Sequence, residues 1–535
     1  MKTKVVKTVP WILLFLTFIL LVVLNLFFQD NWLDSDMAAE MIFSRLLAEE
    51  GHVFASPNWY YSTEFRVLYT HLLMGPLFRI CSDWHVIRTI TNLVFYVFML
   101  ASYFYFVKPF KISGKLTALT SLFLLLPFSE TMLTHMQIGN TYMSHVIISF
   151  LFFGMFLRLV EKVKYNKIYR WVTLICYVLL SLVCGISGVR YLLALQCPLL
   201  LAAFIYLMKI QKFQDFRRTL DLKIFKEIFA ADEARYFGYS LLGAVSSVAG
   251  YGFNVIWVSK HYVFQTYDTT NFIPIYQGIL FERIQNAVGT LLMLFGYIPD
   301  RGFLSLRGVI SILSFVLLGT VFYCVCKCLK VCKGMRLFVT LFLVTAFFLN
   351  VFVFVFTTST MVPRYYITML IFALPILAFY GESGAFKLDR LAVGAILSVC
   401  LIMGTGKIVY SFVTTDKNED KRQVAEFLDQ NGYHFGFATY TNGNIITELT
   451  DGSVEIANVG DPQYLDYFCW SSPMRYYQEG YYQGEIFLLL TAEEAAEYAG
   501  AAPVQHGDVA YQDGAYVVLV YDSVEELMNY AEVRQ

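Results

Sequence analysis

The residues best equipped for chemistry are carboxylates crowded into one short stretch. "DNWLDSDMAAEM", Asp30 to Met41, follows directly on an apolar run from Trp11 to Phe28. One Asp at a helix start satisfies the need for a cap, because it accepts backbone N–H bonds and faces the positive end of the dipole. Asp30, Asp34 and Asp36 exceed that need, and no lysine follows them before Arg45. A carboxylate held at a membrane surface can take the proton of a hydroxyl. Two of them, Asp34 and Asp36, also suit a hard divalent cation, the one cofactor expected. The matching cation is Arg364 in "VPRYY", beside Tyr365, since a planar guanidinium fits phosphate oxygens better than an ammonium does. Further candidates for contact with an anion or a polar ligand are Glu64, Arg190 in "GISGVRYLL", and Lys260 with His261 in "SKHYVFQTYDTTNF". His52, His135, His145 and His261 lack paired metal-ligand spacing.

These side chains must be positioned by membrane helices. The chain has 535 residues, 57% of them hydrophobic and only 15% charged, which is the composition of a polytopic membrane protein. A net charge of -1 offers no field to recruit nucleic acid. Apolar windows fall near residues 10–28, 86–107, 115–128, 141–160, 171–186, 190–208, 237–258, 305–328, 336–356, 364–381 and 391–412, about eleven spans by hydropathy. The first is long enough to cross and no small-residue cleavage pattern follows it, so it reads as a retained span. Lys2, Lys4 and Lys7 put the amino end in the cytoplasm.

Basic residues then recur in alternate loops: Lys108, Lys111 and Lys115; Lys162, Lys164, Lys167 and Arg170; Lys209, Lys212, Arg217, Arg218, Lys223 and Lys226; Lys327, Lys330 and Lys333; Lys387 and Arg390. The alternation holds only if "QNAVGTLLMLFGYI", Gln285 to Ile298, does not cross, so it is expected to be an interfacial or re-entrant helix. Two long outer loops result, about 29–85 and 259–304. In the first, Met37, Met41, Ile42 and Leu46 recur at helical spacing with Glu40, Arg45, Glu49 and Glu50 opposite, the pattern of an amphipathic helix at the bilayer interface.

Beyond Phe412 the composition changes, mixing helix and strand periods with Asn-Gly and Asp-Gly turns. Residues 413–535 are therefore expected to form an extracytoplasmic α/β domain following a membrane domain of residues 1–412. Cys469 is its only cysteine, so no disulfide lies within it. Cys324, Cys326, Cys328 and Cys332 have no His partner at zinc spacing and read as reduced or lipidated juxtamembrane thiols.

A cytoplasmic amino end, one span, a long outer loop opening on "LDSD", many further spans, the late "VPRYY" and an outer carboxyl-terminal domain together resemble the GT-C glycosyltransferases, which include protein O-mannosyltransferases and aminoarabinose transferases. The resemblance implies an inverting transfer of sugar from a polyprenyl-phosphate carrier to an envelope glycan, lipid or protein at the outer face of the cell membrane. In that chemistry an Asp, Asp34 or Asp36, activates the acceptor hydroxyl, while Arg364 meets the charge growing on the leaving phosphate. The group often has Asp-Glu where this chain has Asp36 followed by Met37.

Two other classes compete. A transporter or flippase usually carries charges at the bilayer midplane and repeated halves, whereas these spans hold few central charges and show no duplication. A non-catalytic envelope-assembly protein would bind glycan through the aromatic-rich "YLDYFCWSSPMRYYQEGYYQGE".

Overall fold

The computed structural model describes residues 2–533 except 162–165, 210–222, 224–226, 229–230, 266–269, 275–277, 300–303 and 384–386. Lys162, Lys164, Lys212, Arg217, Arg218 and Lys226 of the basic loops lie outside the described residues. Among the described residues, eight helices are long and apolar enough to cross a membrane. They cover Thr8–Trp32, Trp84–Phe110, Met143–Val160, Lys167–Ile186, Ala234–His261, Ser311–Val331, Gly334–Phe356 and Asp389–Gln430.

Two more windows fold as bent pairs, Gly114–Leu125 with Glu130–Ile138 at 91° and Pro363–Leu370 with Ala373–Glu382 at 43°. Among the described residues the spans thus number eight, or ten if each bent pair is one span, against about eleven windows in the sequence. The window at 190–208 becomes the shorter apolar helix Leu192–Met208. The sharper bend has a local cause: Pro127 pushes Leu126 to extended backbone (ψ 126°), and Ser129 then caps a new helix by accepting from the Met132 N–H at 3.2 Å. Leu280–Leu294, over the stretch expected not to cross, is a 15-residue helix outside the set of spans.

Phenylalanines fill the centre of the bundle. Phe153 lies 4.7 Å from Phe342 and 5.0 Å from Phe372 by ring centroid, in the edge-on and tilted geometries that aromatic quadrupoles favour.

The acidic helix runs Ser35–Glu50. Asp34 is its N-cap, accepting from the Met37 N–H at 2.9 Å, and Gly51 ends it in the left-handed region at φ 73°. Its apolar side is not spread on a lipid surface. Met37, Ala38, Met41, Ile42, Leu46 and Leu47 are buried, with helix His71–Phe78 and helix Tyr440–Leu449 packed against it. Gly139, at the end of the bent pair, meets Met37 so closely that a Cβ there would overlap the methionine side chain.

A small sheet ties distant segments together at this end. Trp59–Tyr61 pairs in parallel with Val263–Phe264 and antiparallel with Ser472–Pro473, so both long loops and the carboxyl-terminal region share one set of backbone hydrogen bonds. The carboxyl-terminal region itself carries a five-stranded mixed sheet in the order Glu455–Val459, Phe435–Thr439, Ile486–Thr491, Tyr516–Tyr521, Asp508–Gln512. The first two pairings are parallel and the last two antiparallel. Helix Tyr440–Leu449 is the crossover from strand Phe435–Thr439 to its parallel neighbour at the sheet edge, Glu455–Val459. Alternation puts Ile486, Leu488 and Leu490 into one core and Phe487 and Leu489 into the other, so both faces are covered.

Candidate active site

The acidic helix begins where four elements meet, and its capping geometry aims the two aspartates differently. Asp34 spends Oδ1 on the Met37 N–H. Asp36, in the first turn, points outward: its Oδ2 accepts from Arg364 Nη1 at 3.3 Å and its Oδ1 from the Tyr440 hydroxyl at 2.9 Å. Arg364 sits in the short turn Pro363–Tyr366 that opens the second bent pair. The acidic exit of the first span and the arginine of a much later one thus converge on one point, 328 residues apart in sequence. Side chains of the pair remain 38% and 32% exposed, so the contact is open to solvent and ligand.

Behind Asp36 the charges alternate. Glu40, one turn further along the same face, pairs with Arg66; Arg66 Nε lies 3.7 Å from Glu64; and Glu64 pairs with Arg190. Arg190 donates to the Tyr142 hydroxyl at 2.6 Å and its guanidinium stands 5.2 Å from both the Tyr142 and the Tyr365 rings. Of the residues singled out from sequence, Asp34, Asp36, Arg364, Tyr365, Glu64 and Arg190 belong to this one assembly. Lys260 and His261 do not join it. They line a wider cleft with Ser62, Thr63, Gly188 and Asn254, where His261 stacks on Trp257 at 4.1 Å.

Burial decides the protonation of the inner carboxylates. It raises Asp34 to about 6, aided by the nearby Asp36 charge and opposed by the Met37 N–H, Arg364 and Arg88. Glu40 is raised by burial to about 7 in spite of Arg66. His71, enclosed and with no hydrogen-bond partner for either ring nitrogen among the described residues, is lowered by burial to about 3.

Several participants carry no local sequence signal. Arg88, fully enclosed, makes a two-pronged contact with Glu448, Nε to Oε1 and Nη2 to Oε2 both at 2.7 Å, and donates to the Met37 carbonyl at 3.0 Å. Tyr440 and Glu448 lie on a helix that reads from sequence as part of a separate domain.

Of the four carboxylate oxygens of Asp34 and Asp36, the donors a cation would use, three already accept hydrogen bonds. Both oxygens of Asp36 are engaged, one by a guanidinium, and no group of three His, Cys, Asp or Glu side chains comes together among the described residues. His52 instead lies 3.2 Å from Glu50, and His135 and His145 contact Thr141 and Tyr191.

The multi-pass helical bundle and the mixed α/β region that packs on it have together a fold already seen in solved structures. The particular likeness is to ArnT from Cupriavidus metallidurans. In its structure bound to undecaprenyl phosphate it is 13% identical with a TM-score of 0.54, the match covering 96% of this chain and 98% of that one. In the apo state the values are 11% and 0.52, with 98% and 100% covered. No family model and no curated protein sequence matches the chain.

Proposed function

We propose that the protein transfers a sugar from a polyprenyl-phosphate-linked donor to an envelope glycan, lipid or protein acceptor, with inversion, at the outer face of the membrane. One observation carries the reading: a carboxylate, Asp36, and a guanidinium, Arg364, meet at 3.3 Å while both stay accessible. An apolar pocket lies against the turns that follow Arg364 in the chain, lined by Ile367, Leu370 and Ile371 of those turns and by Phe128, Phe295 and Leu317. Such a pocket suits an isoprenoid chain, with its phosphate arriving at the arginine. The undecaprenyl phosphate in the ArnT structure supports this choice of carrier.

The mechanism follows from competition for Arg364. Without donor, the guanidinium rests on Asp36 in a half-exposed pair that contributes little stability, about 0–1 kcal/mol. A donor phosphate takes the guanidinium and frees Asp36 Oδ2. That oxygen accepts the proton of the acceptor hydroxyl as the hydroxyl oxygen bonds to C1 and the C1–O bond to phosphate breaks. The electron pair of that bond leaves on the phosphate, where Arg364 offsets the growing charge. A single displacement at C1 inverts its configuration. Asp34, occupied as the cap, holds the helix end that aims Asp36.

The test is incubation of the purified protein with a panel of polyprenyl-phosphate sugars and an envelope extract, reading carrier-dependent release of polyprenyl phosphate. The panel is run with and without chelator, and the donor set predicts equal release in both arms. Uptake of solute into proteoliposomes with no release of carrier from any donor would replace this reading with transport.

A further inference from the structure

The carboxyl-terminal region contributes a side chain to the reacting centre. We infer that Tyr440 is a positioning residue for Asp36: its hydroxyl holds Oδ1 at 2.9 Å, so that only Oδ2 is left to face Arg364 and the acceptor. The inference rests on the transferase reading above, in which Asp36 is the base.

Three features make the contact a built one. Tyr440 opens helix Tyr440–Leu449, directly after strand Phe435–Thr439, so its backbone is set by the end of a strand paired on both sides. That helix is fastened to the acidic helix at two further levels. Asn444 Nδ2 donates to the Ser35 carbonyl at 3.4 Å, and Glu448 grips Arg88, which in turn donates to the Met37 carbonyl. At the far end Arg45 Nη1 donates to the Gly452 carbonyl at 2.9 Å, and Gly452, at φ 74°, lies so close to that guanidinium that a Cβ would overlap it. The two helices are therefore held in one register along their length, and the hydroxyl reaches the carboxylate as a result.

The direction of the hydrogen bond is also decided. Burial, together with the Asp36 charge and its hydrogen bond, pushes the Tyr440 pKa well above that of a free phenol, so Tyr440 donates and Asp36 accepts. A donor to the ionised carboxylate favours the charged form. The other groups facing Asp36 are Arg364 from the broken helix, Asp34 and Glu40 from its own helix, Arg66 from the loop and His135 from the first bent pair. Arg364 is drawn off by the donor phosphate during turnover, which leaves Tyr440 as the hydrogen bond that stays with the base throughout.

The experiment compares the parent with Tyr440→Phe and with Asn444→Ala, a change at the same helix contact that does not touch the carboxylate. Two readouts are taken. Carbodiimide modification of Asp36 against pH, followed by mass spectrometry, reports its titration because only the protonated carboxyl reacts. Donor turnover against pH reports kcat and KM. In Tyr440→Phe the modification midpoint and the acid limb of kcat both move to higher pH, and kcat on that limb falls about tenfold with KM for the donor unchanged. Asn444→Ala lowers heat stability without moving either midpoint. Unmoved midpoints in a folded Tyr440→Phe protein overturn the inference, as does an equal shift in Asn444→Ala. A shifted modification midpoint in a protein that consumes no donor would sink the transferase reading and leave the Tyr440–Asp36 coupling standing.

Discussion

Replacing Asp36 by Asn tests the assigned base with little collateral damage. The change preserves volume, and the amide oxygen can go on accepting from Tyr440. What disappears is the charge opposite Arg364 and the capacity to take a proton. The pair is about one-third exposed on each side (38% and 32%), so its loss alters stability by about 0–1 kcal/mol and the fold survives. Loss of a positioned base lowers the rate by about 10²–10⁴, equivalent to about 2.7–5.4 kcal/mol of barrier. Asp34→Asn is the internal control, because Asn caps a helix about as well as Asp and Asp34 does not touch Arg364. It is expected to hold transfer within about fivefold of the parent while keeping the acidic helix in place. The assay is single-turnover release of polyprenyl phosphate with donor in excess, beside thermal unfolding of each variant in detergent. Refutation is unambiguous: Asp36→Asn turning over within tenfold of the parent, or Asp34→Asn proving the more damaged of two equally stable proteins.

Other residues yield equally concrete expectations. Arg364→Ala should lower turnover by about 10²–10³, and Arg364→Lys should recover only part of it because an ammonium cannot present a fork to phosphate oxygens; full recovery in the lysine variant would deny the two-pronged contact. Breaking the enclosed Arg88–Glu448 pair by Glu448→Gln or Arg88→Met should cost about 3–5 kcal/mol, whereas the double variant regains much of that loss, since it leaves no uncompensated charge. A thermal-unfolding cycle measures this, and additive single effects would show that the pair does not clamp the carboxyl-terminal region. Glu40, raised to about 7 when folded against about 4.5 unfolded, binds more protons in the native state between those values, so its contribution to stability is present below about 4.5 and lost as pH rises through 7. Glu40→Gln should therefore flatten the fall of unfolding temperature with pH over that window relative to the parent, and parallel curves would contradict the raised value.

The apolar spans, the acidic cap at Asp34, the cation Arg364 and the mixed character of the carboxyl-terminal region were all legible in the sequence because each is a local property. A run of apolar residues must hide from water wherever it lies, an Asp before an apolar-periodic segment caps it, and alternation with Asn-Gly turns makes strands. Local signals left the course of two windows open. Those at 115–128 and 364–381 are apolar enough to cross, yet each folds as a bent pair, one broken after Leu125 next to Pro127 and the other between Leu370 and Ala373. The acidic helix itself was legible from the spacing of its apolar residues, but nothing in residues 35–50 says whether lipid or protein covers them.

Only the tertiary structure decided the partners: Asp36 with Arg364 and Tyr440, Glu40 with Arg66, Glu64 with Arg190, and Arg88 with Glu448. A charge advertises the need for a counter-charge but not its address, because pairing depends on which backbone segments the packed helices bring within a few ångströms. Here helix Tyr440–Leu449, more than four hundred residues along the chain, is laid against the acidic helix by a sheet and a buried ion pair. That placement turns a capped helix end into a site.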